Sequence, residues 1–258
     1  LGDEAVLTPN EIIEKTIAVG IAKVRKSIEA KLLLGFTGGA MIALGYLAYI
    51  RVSASIGQDL PSIASLIGAS VFPIGLIVIL MAGGELVTGN MMAVSSAFFK
   101  KKISLRELLA NWMIITAANV TGAIFAAYTF GHLVGLTSTG IYQQQVVLLA
   151  EQKLDSSFFQ SFLSGIGCNW FVGIALWLCY GAKDAIGKIV SVWFPVMVFV
   201  VIGFQHSVAN CFLIPAAIFE GYYSWGIFLQ NFIAVFLGNI IGGSIFVAGV
   251  YHISLKEK

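Results

Sequence analysis

Gly203-Phe204-Gln205-His206-Ser207-Val208-Ala209-Asn210 decides how this chain is read. Apolar runs flank it, Ile189 to Ile202 before and Cys211 to Phe219 after. Joined, they make one membrane span with a polar break at mid-depth. Non-helical backbone survives there only where protein buries it or where it lines a cavity. His206 sits in the break, further from either expected membrane surface than His132 or His252. An ionisable side chain at that depth is costly, which marks it as functional. A second break, Gly83-Gly84-Glu85-Leu86-Val87-Thr88-Gly89-Asn90, interrupts an earlier apolar run. Two broken spans in corresponding positions of two halves point to a solute path at the bilayer midplane.

Composition agrees. Of 258 residues, 58% are hydrophobic and 11% are charged, with mean hydropathy +0.91. About a quarter of a soluble domain is charged, so an all-α protein crossing the membrane several times is expected. The net charge of +2 singles out no partner such as a nucleic acid. Leu1 to Lys31 is too polar for a cleavable signal peptide. Cys168, Cys179 and Cys211 all fall inside apolar runs. Their odd number and setting fit small packing side chains rather than a disulfide framework.

Thr8-Pro9-Asn10-Glu11 is a helix start, with a capping Thr, Pro at the first position and Glu three residues after the cap. Ile13, Ile17, Ile21, Val24 and Ile28 then recur at helical spacing among Lys15, Lys23, Arg25 and Lys26. Such an amphipathic helix either lies on the membrane surface or packs on the protein's own face. Six apolar stretches follow, near 32–50, 63–99, 108–131, 158–180, 189–219 and 225–251. A straight span needs about 20 residues. The second and fifth stretches exceed that, and each is expected to be two half-helices around its break.

Lysine and arginine concentrate before the first stretch, at 100–106, at Lys183 and Lys188, and at Lys256 and Lys258. The opposite connections hold only Arg51 and Lys153. The excess of cations in cytoplasmic connections puts both termini in the cytoplasm. The expected organisation is an amphipathic segment over 1–31, a three-helix repeat over 32–131, an extracytoplasmic connection over 132–155, a second repeat over 156–252, and a tail over 253–258. Asn90, Asn111, Asn119 and Gly122 recur 120 residues later as Asn210, Asn231, Asn239 and Gly242. Phe72-Pro73 recurs as Phe194-Pro195. Halves of three spans each are inverted relative to one another, so the two breaks face each other. Glycines in the first, fourth and sixth stretches let helix backbones approach closely.

Imidazole holds or donates a proton near neutral pH, which suits His206 to an anion that must be neutralised to cross. Thr88, in the other break, offers a hydroxyl and is also placed to cap the half-helix beginning near Gly89. Asn169 and Asn210 fit two roles, lining the path or tying helices together. Glu85 is expected to satisfy backbone N–H groups freed at its break, because a carboxylate repels an anionic solute. The half-helices present positive dipole ends to the midplane, favourable for an anion. Lys153, and less clearly Lys23, reads as a vestibule cation that concentrates anions.

These motifs, with Gly-Asn-Ile-Ile-Gly-Gly at 238–243, resemble the formate/nitrite transporter family over essentially the whole chain. Within it, the chain is most similar to the hydrosulfide channels. The resemblance implies a homopentamer of aquaporin-like protomers in the cytoplasmic membrane, each with its own pore and no cofactor. It implies a central pair of His206 and Thr88 with Asn169, Asn210 and Asn239 around it. Leu76, in the loop breaking the second span, would form the cytoplasmic constriction, and Phe72 with Phe199 the opposite one. Lys23 and Lys153 would be the vestibule lysines. Gln205 stands where formate channels carry Glu before the histidine, which turns the expectation from formate or nitrite towards hydrosulfide.

A neutral-solute channel of the aquaporin type would carry paired Asn-Pro-Ala breaks, and the chain has no Asn-Pro. An intramembrane serine protease would need Ser207 to meet His206, yet adjacent side chains on a helix diverge. His132 and His252 fall near span ends, so no metal-ligand cluster is readable. An enzyme is not expected.

Overall fold

The computed structural model describes residues 6–56 and 59–255; Lys256 and Lys258 lie outside them. The described residues form helices and no strand. They are α1 (Pro9–Arg25), α2 (Ile28–Ser53), α3 (Pro61–Val71), α4 (Ile74–Ala82), α5 (Val87–Phe99), α6 (Leu105–Ala126), α7 (Gly140–Leu154), α8 (Phe158–Gly181), α9 (Ala185–Ile202), α10 (Ser207–Phe219), α11 (Trp225–Ile240) and α12 (Val250–Ser254). Past their ends, α6 and α11 widen into π-helical turns. Six helical stretches among these residues are long and apolar enough to cross a membrane: Ile28–Ile56, Pro61–Ala82, Leu105–Leu133, Phe158–Gly181, Ala185–Ile202 and Trp225–Ser254.

Capping starts the helices where the sequence says. Thr8 and Glu11 form the expected reciprocal box at α1, and Ser104 with Glu107 and Ser157 with Gln160 do the same at α6 and α8. The amphipathic α1 packs on the protein's own face, burying Ile12, Ile13, Thr16, Ile17 and Gly20. A Cβ at Gly20 would run into the Ala93 carbonyl of α5, so this approach requires glycine.

The long apolar stretches divide unequally rather than into two half-helices. Each has one arm of spanning length, Pro61–Ala82 or Ala185–Ile202, followed by a thirteen-residue half-helix, α5 or α10. The first arm is itself interrupted at Phe72-Pro73, because proline has no N–H with which to continue the α3 ladder. Leu76 therefore lies within α4, not in a loop as expected from the sequence. Gly83 and Gly203, at φ 105° and 91°, turn the chain out of the two arms; such backbone angles favour glycine.

The frame bonds of the two halves correspond. Asn119 Oδ1 accepts from the Val87 N–H at 2.8 Å, and Asn239 Oδ1 from the Ser207 N–H at 3.0 Å. Asn119 Nδ2 donates to the Gly35 and Glu85 carbonyls, and Asn239 Nδ2 to those of Gly165 and Gln205. Asn90 Nδ2 donates to Asn111 Oδ1 at 2.9 Å, and Asn210 Nδ2 to Asn231 Oδ1 at 2.9 Å. Asn111 and Asn231 also donate to the carbonyls of Lys23 and Lys153. These last bonds make α7 the mate of α1, so the repeat includes a short helix ahead of the three spans.

Candidate translocation site

The asparagine frame explains how extended backbone persists inside the protein. The residues before α5 and α10 have lost their helical partners, and buried N–H groups left unpaired are costly. Glu85 does not supply the missing acceptor, contrary to expectation; Asn119 and Asn239 do. The Glu85 N–H finds the Leu34 carbonyl, and the Gln205 N–H finds Ser164 Oγ. The Glu85 carboxylate instead takes Lys23 at 2.9 Å, Lys26 at 3.5 Å and Asn90 at 2.9 Å.

So held, the two breaks meet at their side chains. Thr88 Oγ1 and His206 Nε2 are 2.8 Å apart, both buried. His206, not Thr88, is a capping residue: its Nδ1 accepts from the Ala209 N–H at 3.1 Å at the start of α10. A nitrogen that accepts carries no hydrogen, so the neutral ring holds its hydrogen on Nε2. His206 then donates to Thr88 Oγ1, and Thr88 keeps its own hydroxyl hydrogen to offer. The N-termini of α5 and α10, with their partial positive charge, converge on this pair.

Aromatic rings wall it in. Phe72 and Phe199 meet edge to face at 6.1 Å, and Phe199 stacks beside His206 at 6.3 Å. These three residues separate two cavities. One, about 270 Å³, is also lined by Lys153, Tyr46 and Asn210. The other, about 10 Å³, is closed by Leu76, Leu86 and Val172 and has room for roughly one water. Leu86 and Val172 were not singled out in the sequence. They look like any other apolar residue there, although the repeat makes Leu86 the mate of His206.

The remaining candidates take distinct places. Asn210 lines the larger cavity and ties α10 to Gln205. Asn169 and Asn239 are buried ties; Asn169 Nδ2 bonds the Thr88 and Asn239 carbonyls and so joins the halves. Lys23 is paired with Glu85. Burial pushes its ammonium below the usual lysine range, and Glu85 acts against that shift. Lys153 donates to the Gly203 carbonyl at 3.0 Å, and burial lowers its pKa to about 8. No cluster of three His, Cys, Asp or Glu able to hold a metal occurs among the described residues.

Six spans, two facing half-helices and a polar pair walled by aromatics define a multi-pass membrane protein of channel architecture. The chain belongs to the formate/nitrite transporter family, whose family model matches residues 10–253. It is therefore a transport protein and not an enzyme. It is 54% identical over 250 residues to the uncharacterized transporter YrhG of Bacillus subtilis, covering 97% of this chain and 94% of that protein. It is 50% identical to the formate channel BtFdhC of Bacillus thuringiensis, covering 97% and 96%. Among solved structures, a channel described as an FNT family ion channel superimposes with TM-score 0.86 at 24% identity, over 95% of this chain and 98% of that one. A pentameric formate channel with formate bound gives TM-score 0.79 at 28% identity, over 90% and 99%.

Proposed function

We propose that this protein passes small monovalent anions of weak acids, formate foremost, across the cytoplasmic membrane. Both termini are cytoplasmic, Lys23 faces the cytoplasmic mouth and Lys153 the outer one, and the protomers assemble as a homopentamer with one pore each. The observation that carries this reading is the His206–Thr88 pair, set between two helix N-termini at an aromatic partition. The formate channel relative and the formate-bound structural neighbour support the substrate class. Hydrosulfide, favoured from the sequence, keeps Gln205 as its support.

The geometry suits a neutral species at the partition. A bare ion in an apolar constriction is far costlier than a neutral molecule. The anion gathers at Lys153 or Lys23 and takes a proton from vestibule water. It crosses as the acid, hydrogen-bonded by His206 Nε2–H and the Thr88 hydroxyl, and returns the proton on the far side. His206 serves as a donor of hydrogen bonds. Surrendering its single ring hydrogen would leave an imidazolate, and a doubly protonated ring would break the Ala209 bond. One liposome series tests the reading: fluxes of formate, hydrosulfide, nitrite and glycerol at two pH values, with wild type and His206→Asn. Formate flux that weakens without losing its pH dependence in the variant is expected. Wild-type flux confined to glycerol overturns the reading.

A further inference from the structure

The repeat is broken at one charged position beside each mouth. Glu85 and Gln205 are mates, 120 residues apart, and their frames match. Glu85 Oε2 accepts from Asn90 as Gln205 Oε1 accepts from Asn210, at 2.9 and 2.8 Å. The lysine contacts differ. Glu85 binds the Lys23 ammonium itself, whereas Gln205 Nε2 donates to the Lys153 carbonyl and leaves that ammonium on the Gly203 carbonyl. Among the described residues no carboxylate pairs with Lys153. The described lining of its cavity, which it shares with His206, includes no acid. At the Lys23 mouth the partly buried cation is neutralised by Glu85. Lys26 leans on the same carboxylate from the rim, where a third of it is exposed and water screens its charge.

We propose that Gln205 makes the Lys153 mouth the anion-capturing face of this channel, while Glu85 makes the Lys23 mouth a weakly capturing one. The proposal rests on the anion-transport reading. Gln205 acts through Lys153 and is a positioning residue. An amide at this place preserves the asparagine frame without consuming the lysine's charge. The channel supplies no energy, so without a membrane potential or a pH difference the ratio of maximal flux to half-saturation must be equal in the two directions. The asymmetry therefore appears as a lower half-saturation constant and a proportionately lower maximal flux from the Lys153 face.

The test is formate flux into a formate-free opposite compartment, with no membrane potential and equal buffered pH on both sides, from each face of liposomes carrying uniformly oriented protein. The wild-type half-saturation constant is expected to be about tenfold lower at the Lys153 face, equivalent to about 1.4 kcal/mol. Gln205→Glu is isosteric and keeps the acceptor used by Asn210 and Asn231. It should raise the constant at the Lys153 face about tenfold and leave the Lys23 face unchanged. Glu85→Gln should lower the constant at the Lys23 face; if that variant does not fold, Gln205→Glu carries the test. Equal constants at the two wild-type faces, or a folded Gln205→Glu protein with an unchanged Lys153 face, overturn the proposal alone. No formate flux in the wild type overturns the functional reading and the proposal together.

Discussion

Asn119→Ala should unfold the first break without touching the solute path. Asn119 is fully buried and makes three bonds: it accepts from the Val87 N–H at 2.8 Å and donates to the Glu85 carbonyl at 2.8 Å and the Gly35 carbonyl at 2.6 Å. Alanine strands all three backbone groups. Side-chain hydrogen bonds in membrane proteins average about 0.6 kcal/mol each, because the unfolded chain in the bilayer also finds partners. Three such bonds set a floor of about 2 kcal/mol. Orphaned groups in a soluble core cost about 1–3 kcal/mol each, and Val87 heads a half-helix with no side-chain cap to replace the lost acceptor. A loss of about 2–5 kcal/mol is therefore expected. Asn239→Ala, which strands the matching groups of Ser207, Gln205 and Gly165, should cost about the same. Reversible unfolding in mixed micelles measures both, with Thr121→Ala on the exposed face of α6 as control. Destabilisation no greater than the control's, or a cost confined to one half, would refute the symmetric frame.

Thr88→Ser should keep most formate flux and Thr88→Val should lose it, because only serine retains the hydroxyl; equal flux in liposomes would remove Thr88 from the path. Phe199→Ala should cost about 3 kcal/mol of stability and admit glycerol through the partition beside Phe72, read by stopped-flow swelling. Burial lowers the Lys153 pKa to about 8, so its charge is present below that pH and lost above it. The formate half-saturation constant at the Lys153 face should therefore rise as pH rises through about 8, and Lys153→Met should flatten that profile; a profile unchanged in the variant would remove Lys153 from capture. Gly238→Ala drives a Cβ into the Phe162 carbonyl where α11 crosses α8 and should abolish folded protein on size exclusion, whereas Gly226→Ala at an open position should be accepted.

The sequence disclosed the frame more readily than the mouths. Asparagines are rare enough among apolar residues for Asn90, Asn111 and Asn119 to stand out when they return as Asn210, Asn231 and Asn239. His206 stood out by its depth in an apolar span and Thr88 by its hydroxyl in the matching break, and the structure sets the two 2.8 Å apart. What stayed hidden had physical reasons. The early helices repeat at an offset of 130 residues, Lys23 with Lys153 and Gly35 with Gly165, while everything from the breaks onward repeats at 120. Searching at one offset leaves α7 unassigned, and its polar composition made it look like a connection. Leu86 and Val172 were unreadable because apolar side chains at a partition are chemically the same as those facing lipid. The role of Glu85 was missed because its partner, Lys23, comes 62 residues earlier, among other lysines.

The pattern of conserved and broken symmetry within the chain carries the last step. The asparagines of the frame, the two turning glycines and two of the close glycine contacts, Gly35 with Gly165 and Gly122 with Gly242, are paired across the halves, because both breaks face the same problem of unpaired backbone in a water-poor interior. The groups at the pore are not paired. His206 has Leu86 as its mate, Thr88 has Val208, and Gln205 has Glu85. A symmetric site would place two imidazoles, or two leucines, on either side of one narrow passage. The first would surround a passing acid with competing donors and hold it; the second would leave it no hydrogen bond at all. On the proposed transport reading, a single donor opposite a hydroxyl, backed by leucine on one side and aromatic rings on the other, would bind a neutral solute briefly enough to release it. On that reading, the duplicated frame supplies stability twice, and the substitutions between its copies are where transport would be decided.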